Sequence, residues 1–190
     1  IVGSTDFVNV VNEASVTVDG VNNTRNGVAG ILGGTNGSGQ LGKNTHLTFT
    51  NCHNKADITS LENGGHKRRN MGGIVGYSDG SHELTITNCS NSGNITNNTV
   101  IEDLHMGGLV GTNMCAATNI INSFNTGNVI CGGAQTETGN NYSLGGIIGY
   151  QTSPLYLTNC VNGATMGEGG IVTKDDECII KIGTAPGGTS

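Results

Sequence analysis

The feature that most constrains this chain is an internal repeat of about 35 to 40 residues. A glycine-aliphatic block recurs as AGILG from Ala29, GGIVG from Gly72, GGLVG from Gly107 and GGIIG from Gly145, with a shortened GGIV from Gly169. A second block follows each complete one, and a degenerate copy of it precedes the first. Its opening asparagine falls at positions 9, 51, 88, 122 and 159, at intervals of 42, 37, 34 and 37. Because two independent markers share one period, we expect a stack of similar units that bury their apolar faces against each other.

Each copy predicts the same short strands separated by turns. The glycine block reads as an apolar strand entered through glycines, which permit a sharp corner. Leu84-Thr85-Ile86-Thr87 alternates apolar and polar residues, as a half-buried strand does. A third short strand follows, for example at 93–96. The pattern predicts an all-β fold, a parallel, right-handed β-solenoid (β-helix) of four to five units. The period is longer than the number of residues that a three-sided coil needs. The additional residues would have to form protruding loops at 33–46 and 131–142, extra strands, or a second small coil in each repeat.

We expect one solenoid domain over the 190 residues, cut from a longer chain. The first repeat, 1–28, is degenerate. Repeats at about 29–70, 71–105, 106–143 and 144–168 follow. A degenerate terminal unit at 169–184 precedes a tail at 185–190.

Stacking predicts columns of equivalent side chains about 4.8 Å apart. One column is predicted to be an amide ladder that hydrogen-bonds along the stack: Asn12, Asn54, Asn91, Asn125 and Asn162. Two aliphatic columns are predicted to be interior: Val16, Ile58, Ile95, Val129 and Met166, and Ile31, Ile74, Leu109, Ile147 and Ile171.

Three of the six cysteines share one repeat position, Cys52, Cys89 and Cys160, where the third copy carries Ser123. A position that accepts serine favours a small buried filler over half of a disulfide. The other three are Cys115, Cys131 and Cys178, and a Cys115–Cys131 bridge stays open. Because the cysteines and histidines lack zinc-ligand spacing, we expect no metal site.

Composition excludes several function classes. A net charge of −6 argues against a nucleic-acid partner, which needs clustered basic residues. No apolar run approaches the ~20 residues that cross a bilayer, so we expect no direct membrane insertion. Glycine and asparagine fill 58 of 190 positions and are poor helix formers, which disfavours a helical bundle.

Two groups of charged residues are candidate sites. The densest basic patch, a candidate for gripping a sulfate, carboxylate or anionic glycan, is His66, Lys67, Arg68 and Arg69. Acids that would have to converge in a carbohydrate-active enzyme are Asp79, Glu83, Glu102 and Asp103. Because the acids scatter along the chain, we predict no catalytic residue and no cofactor.

The blocks GGIVGYSDG from Gly72, GGLVGTN from Gly107 and GGIIGYQ from Gly145, followed by segments such as NCSNSGNI and NSFNTGNV, resemble the GLUG motif. The resemblance runs from Phe7 to about Val172, with three close copies. It implies a repeat array in large secreted or surface-attached proteins, mostly bacterial, including adhesin-like proteins and regions flanking some immunoglobulin-cleaving metallopeptidases. The motif brings no catalytic residues, and the zinc-peptidase signature HExxH is absent here.

The sequence therefore predicts a non-enzymatic extracellular or cell-surface module, either an adhesin-like binding face or a structural spacer. Its partners would be a host or microbial glycan or a surface protein, bound through loops at 33–46, 60–70 and 131–142. The alternatives are a β-helical polysaccharide hydrolase or lyase, and end-to-end self-association into a filament.

Overall fold

The computed structural model describes residues 3–19, 26–35, 45–61, 68–80, 83–98, 103–131, 141–163 and 172–174. All regular secondary structure in these ranges is β-strand. The strands are β1 (Gly3–Val8), β2 (Val11–Asn12), β3 (Val16–Val18), β4 (Asn26–Ala29), β5 (Leu32–Gly34), β6 (Thr45–Thr50), β7 (His53–Asn54), β8 (Ile58–Ser60), β9 (Arg68–Gly72), β10 (Val75–Asp79), β11 (Glu83–Thr87), β12 (Ser90–Asn91), β13 (Ile95–Asn97), β14 (Asp103–Gly107), β15 (Val110–Met114), β16 (Ala117–Ile121), β17 (Phe124–Asn125), β18 (Val129–Cys131), β19 (Asn141–Gly145), β20 (Ile148–Gln151), β21 (Leu155–Thr158), β22 (Val161–Asn162) and β23 (Val172–Lys174).

Each strand pairs in parallel with the strand five places along the chain, so every repeat makes one coil. Five sheets result: sheet A (β1-β6-β11-β16-β21), sheet B (β2-β7-β12-β17-β22), sheet C (β3-β8-β13-β18-β23), sheet D (β4-β9-β14-β19) and sheet E (β5-β10-β15-β20). Coils 1 to 4 contain all five strands, and β21 to β23 belong to coil 5. The predicted all-β parallel solenoid is confirmed.

The long period comes from extra strands, and the glycine block is a corner where a strand was predicted. Gly72 ends β9, Gly73 and Ile74 turn the chain, and Val75 begins β10. The prediction missed two elements of each coil, the two-residue strand of sheet B and the strand of sheet D that precedes the glycines. The predicted excursions at 33–46 and 131–142 fall mostly on residues outside the described ranges.

The register places one aliphatic column as expected up to its fourth member. Val16, Ile58, Ile95 and Val129 are paired in sequence, but the next partner is Val172 where Met166 was predicted. Val172 thus lies in sheet C, whereas the fourth residue of each complete glycine block begins a strand of sheet E, so reading GGIV from Gly169 as a shortened copy of that block was wrong. Only 24 residues separate Gly170 from Gly146, fewer than a full coil uses. Met166 itself lies outside the described residues.

In the second predicted column, Ile74 and Leu109 are fully buried, whereas Ile31 and Ile147 are half-buried. Ile171, its last member, lies outside the described part of the chain.

Every complete coil has two apolar compartments. The A/E half-core lies between sheets A and E and includes Leu47, Phe49, Val75, Leu84, Ile86 and Val110. The C/D half-core lies between sheets C and D and includes Val28, Ile58, Met71, Ile95, Leu104 and Met106.

Glycines separate the two compartments where the backbones of sheets D and E touch. A Cβ atom on Gly111 would lie 2.5 Å from the Gly76 carbonyl oxygen and 2.6 Å from the Met71 nitrogen. Because no real Cβ contact is that short, only glycine fits. This backbone septum explains the last glycine of each GG-aliphatic block.

Candidate functional site

The predicted asparagine column forms a continuous side-chain ladder at sheet B. Each Nδ2 donates to the Oδ1 of the next coil, at 2.7 Å from Asn12 to Asn54, 2.6 Å to Asn91, 2.8 Å to Asn125 and 3.0 Å to Asn162. Each of the first four Nδ2 atoms also donates to the main-chain carbonyl two residues ahead, as Asn91 does to Gly93 at 2.8 Å. The three central members are fully buried, so the ladder satisfies corner carbonyls that water cannot reach.

The corner glycines pack directly on this ladder. A Cβ on Gly73 would lie 2.5 Å from Cβ and Cγ of Asn91, and a Cβ on Gly108 would lie 2.3 Å from Cγ of Asn125. Each glycine therefore faces the asparagine of the following coil. The glycine block and the asparagine block recur together because they contact each other through the stack.

A second asparagine column served as a marker of the repeat period, but its role in a turn was not predicted. Asn9, Asn51, Asn88, Asn122 and Asn159 turn the chain between sheets A and B with φ of 58°, 54°, 53°, 49° and 51°. Their side chains are exposed. The available signal was residue type, because asparagine enters the left-handed region more readily than most non-glycine residues.

The cysteine column caps the same corner from the inside. The Cys52 nitrogen donates to Cys89 Sγ at 3.3 Å, and the Cys89 nitrogen donates to Ser123 Oγ at 3.0 Å. Each Sγ or Oγ donates to the carbonyl two residues back, as Ser123 does to Ile121 at 2.8 Å. Burial raises the pKa of the Cys89 thiol to about 12, so it stays a neutral donor.

None of the five described cysteines forms a disulfide. Cys115 Sγ lies 2.9 Å from Ser78 Oγ in the A/E half-core, whereas Cys131 belongs to the C/D half-core. Cys160, the last of the column, donates to the Ile120 carbonyl at 3.2 Å. Cys178 lies outside the described residues.

The structure separates the two described arginines of the predicted basic patch. Arg68 and Arg69 are consecutive residues of β9, so their side chains point to opposite faces of sheet D. Arg68 is half exposed and its Nε lies 2.5 Å from Asp103 Oδ2, whereas Arg69 is fully buried. His66 and Lys67 lie outside the described residues. The two described arginines therefore do not share one surface for an anion, because strand alternation separates them.

The candidate acids occupy different sheets. Asp79 ends β10 and accepts a hydrogen bond from the Tyr77 hydroxyl at 3.0 Å. Glu83 begins β11 in sheet A, and Asp103 pairs with Arg68 in sheet D. Glu102 lies outside the described part of the chain. The described residues contain no group of three His, Cys, Asp or Glu side chains able to hold a metal ion.

The outer face of sheet A carries polar side chains from successive coils. Glu83 Oε1 accepts hydrogen bonds from the side chains of Thr85 and Asn119, and Glu83 Oε2 lies 3.3 Å from His46 Nδ1. One coil along from Asn119, in register, Tyr156 is 59% exposed. This face thus combines a fixed carboxylate, an amide, hydroxyls and an aromatic ring.

Two coils away, the same face carries a second hydrogen-bonded carboxylate. Asp6 accepts from Thr48 and, at 2.9 Å, from Ser4, and these hydrogen bonds lower the pKa of Asp6. Both carboxylates are therefore held in fixed positions by neutral donors of neighbouring strands, which is the chemistry of polar recognition.

Another titratable group lies between sheets D and E. The His105 ring stacks on Tyr150 with centroids 4.7 Å apart, and its Nδ1 has no hydrogen-bond partner in the described part of the chain. Burial is the largest cause that lowers the pKa of His105, to about 4. Asp103 raises this pKa and Arg68 lowers it, each by less than burial does. The ring is therefore neutral at physiological pH.

The family model of the GLUG motif matches residues 68–96, which agrees with the resemblance described above. The match begins at β9, includes the Gly72–Gly76 corner and the Asn88 and Asn91 positions, and ends in β13. No curated protein and no solved structure matches the chain. In the described part of the chain, no helix is long and apolar enough to cross a membrane.

Proposed function

We propose that this repeat module acts outside the cell or at the cell surface as a non-enzymatic, adhesin-like binding element. The single observation that carries the proposal is the outer face of sheet A, where polar side chains of successive coils form one flat, hydrogen-bonded surface. The interior is filled by apolar columns and the asparagine ladder, so recognition falls to the outside. A shallow surface of this kind suits display better than enclosure of a substrate.

The ligand class that we favour is a glycan. Glycan recognition combines hydrogen bonds from carboxylates and amides with contact between a sugar ring and an aromatic side chain. Glu83, Asn119 and Tyr156 supply these groups on neighbouring coils of sheet A. A net charge of −6 favours a neutral or cationic glycan over an anionic one.

The proposal is tested by binding of the purified protein to an array of host glycans, microbial polysaccharides and matrix proteins. We expect saturable binding that Tyr156→Ala and Asn119→Ala each reduce at least tenfold. Phe124→Ala is the matched control, because Phe124 is also an exposed aromatic residue (45%) but lies in sheet B. Equal losses of affinity in Tyr156→Ala and Phe124→Ala would show that the ligand does not bind specifically to sheet A. If no ligand on the array binds, a structural spacer is favoured.

The enzymatic alternative stays a prediction that the same ligands can check. Each polysaccharide on the array is incubated with the protein and assayed for new reducing ends or unsaturated products. Turnover abolished by Glu83→Gln would replace the binding proposal with a hydrolase or lyase. Binding without turnover supports it.

A second candidate function is end-to-end self-association. Leu157 occupies the same column as Phe49, Ile86 and Ile120, which are fully buried, yet it is 50% exposed. It lies on β21, which pairs on one side only among the described residues of sheet A and so leaves backbone groups that can accept another strand. Sedimentation that shows concentration-dependent assembly, lost in Leu157→Lys, would support a filament unit. A monomer at all concentrations would exclude it.

A further inference from the structure

Arg69 is a buried cation in an otherwise apolar compartment. Its side chain extends from β9 into the C/D half-core and is 1% exposed. Nη1 donates to Ser60 Oγ at 2.7 Å, while Nε and Nη2 have no hydrogen-bond partner among the described residues. Arginine stays protonated in proteins, so this guanidinium brings into the half-core a positive charge that no described carboxylate neutralises.

The two unpartnered nitrogens form one edge of the guanidinium. The N–H bonds of Nε and Nη2 point side by side, and this is an arrangement in which arginine binds both oxygens of a carboxylate. The position itself does not require a cation, because Leu104 holds the register-equivalent place in the next coil and is fully buried without one. Packing alone therefore does not account for arginine at this position.

Two buried polar side chains lie at the Nη1 end of the guanidinium. Ser60 accepts the Nη1 hydrogen bond through its oxygen, which leaves the hydroxyl proton for another acceptor. Asn97, buried and in register with Ser60, adds a second polar side chain to this end of the half-core. The site is one residue from the surface, because Leu61, which follows Ser60, is 37% exposed and Arg68 is exposed.

We propose that Arg69 forms a binding site for a small carboxylate anion. The anion receives two parallel hydrogen bonds from Nε and Nη2, while Nη1 keeps its hydrogen bond to Ser60. Its charge neutralises the guanidinium, and only a small anion can enter, because Arg69 is 1% exposed. The site lies away from the outer face of sheet A and is independent of glycan binding there.

The experiment is thermal unfolding of the purified protein in sodium formate, compared with sodium gluconate at the same ionic strength. Formate is the smallest carboxylate, and gluconate is much too large to enter a site where the arginine itself is 1% exposed. At ten times its dissociation constant, formate is expected to raise the wild-type Tm by roughly 3–5 °C. Arg69→Leu, which copies the residue of the next coil, is expected to abolish this difference.

Arg68→Leu is the matched control, because it removes the adjacent arginine and its ion pair with Asp103 but leaves the proposed site. It should keep the formate effect. An equal formate effect in wild type and Arg69→Leu would be a general salt effect and would overturn the proposal. A wild-type Tm that formate does not raise would also overturn it. If Arg69→Leu then had a higher Tm than the wild type, the arginine would be a buried charge that no anion neutralises.

A second measurement covers the case in which Arg69→Leu does not fold. The arginine Nε–H signals of the wild-type protein are followed by NMR during a formate titration. A saturable shift of one Nε–H signal that persists in Arg68→Leu supports the site, and unchanged signals overturn it.

Discussion

Two columns of asparagine run along the same edge of this solenoid, three residues apart in every coil, and they do different work. The inner column at Asn12, Asn54, Asn91, Asn125 and Asn162 acts through its side chains, which form a buried ladder. The outer column at Asn9, Asn51, Asn88, Asn122 and Asn159 acts chiefly through its backbone, which takes a positive φ. Its side chains are exposed, so the hydrogen bonds from Asn51 to Asn9 and from Asn159 to Asn122 are open to water.

The difference teaches that repetition of one residue type does not reveal which of its properties the fold uses. An amide in a dry corner is selected for its donors and acceptor, since buried polar groups need partners. A left-handed turn selects for low steric strain, a property that glycine has in greater measure. Substitution by alanine and by glycine separates the two, because neither residue has an amide and only glycine relieves the strain.

The largest effect is expected at the centre of the ladder. Asn91→Ala removes the acceptor for Asn54 Nδ2 and the donor for Asn125 Oδ1 and the Gly93 carbonyl, all buried. Groups left unsatisfied cost about 1–3 kcal/mol each, so we expect a loss of about 3–5 kcal/mol in the free energy of unfolding. Urea denaturation measures it, and Asn91→Gly should be at least as damaging.

A loss below about 1 kcal/mol in Asn91→Ala would mean that the ladder contributes no more than an exposed contact. The inner and outer columns would then not differ in the way proposed here.

The next effect comes from pH and leaves the difference between the columns intact, because asparagine does not titrate. The pKa of His105 is lowered by burial to about 4 from an ordinary 6.5. The unfolded chain therefore binds the proton more readily, and stability should fall as pH drops from about 6.5 to about 4, by at most about 3 kcal/mol. Urea denaturation across this range measures the slope, which His105→Gln should remove.

If His105→Gln keeps the full slope, other groups titrate there. Asp103 and Arg68 are the charged groups that act on the ring, and Arg68→Leu would test their share. The stability difference between Asn91→Ala and Asn88→Ala should be the same at both ends of the pH range.

The sequence predicted much of the fold because the period and the alternation of side chains survive in every coil. The ladder at Asn54, Asn91 and Asn125 followed from stacking alone, since equivalent positions in successive coils are neighbours. The corner at Gly73 was read as part of a strand because close backbone approach and strand burial both favour glycine and aliphatic residues. At Gly73 the approach is to Asn91 and to the Gly108 carbonyl, which belong to the next coil.

The sites were harder to predict, because their geometry depends on strand phase. Arg68 and Arg69 look like one basic cluster in the chain, yet adjacent residues of a strand face opposite ways. The outer face of sheet A was not identified, since His46, Glu83 and Asn119 come from three repeats and meet only through the register. A register assigned from the Asn51 and Asn88 markers would have placed them together.

A smaller effect is expected in the outer column. Asn88→Ala keeps the turn but places a less tolerant residue at φ 53°, which costs about 1–2 kcal/mol. Asn88→Gly should stay within about 0.5 kcal/mol of the wild type, because glycine adopts this φ without strain. Urea denaturation of the pair measures the order, which is the reverse of what side-chain loss would give. Equal losses in both variants would assign a side-chain role to Asn88 and remove the contrast between the columns.

The smallest effect is expected at the first rung of the ladder, and it tests whether position in the stack sets the cost. Asn12 makes the same two donations as Asn91, to Asn54 and to the Ala14 carbonyl, but it is only half-buried. Water can replace its hydrogen bonds, so Asn12→Ala should cost about 0.5–1.5 kcal/mol, the net value of an accessible hydrogen bond. If Asn12→Ala lowers the free energy of unfolding severalfold less than Asn91→Ala does, then burial, and not the number of hydrogen bonds, sets the energy of a rung. Equal losses would instead mean that the ladder acts as one cooperative unit, in which breaking any rung weakens all of them.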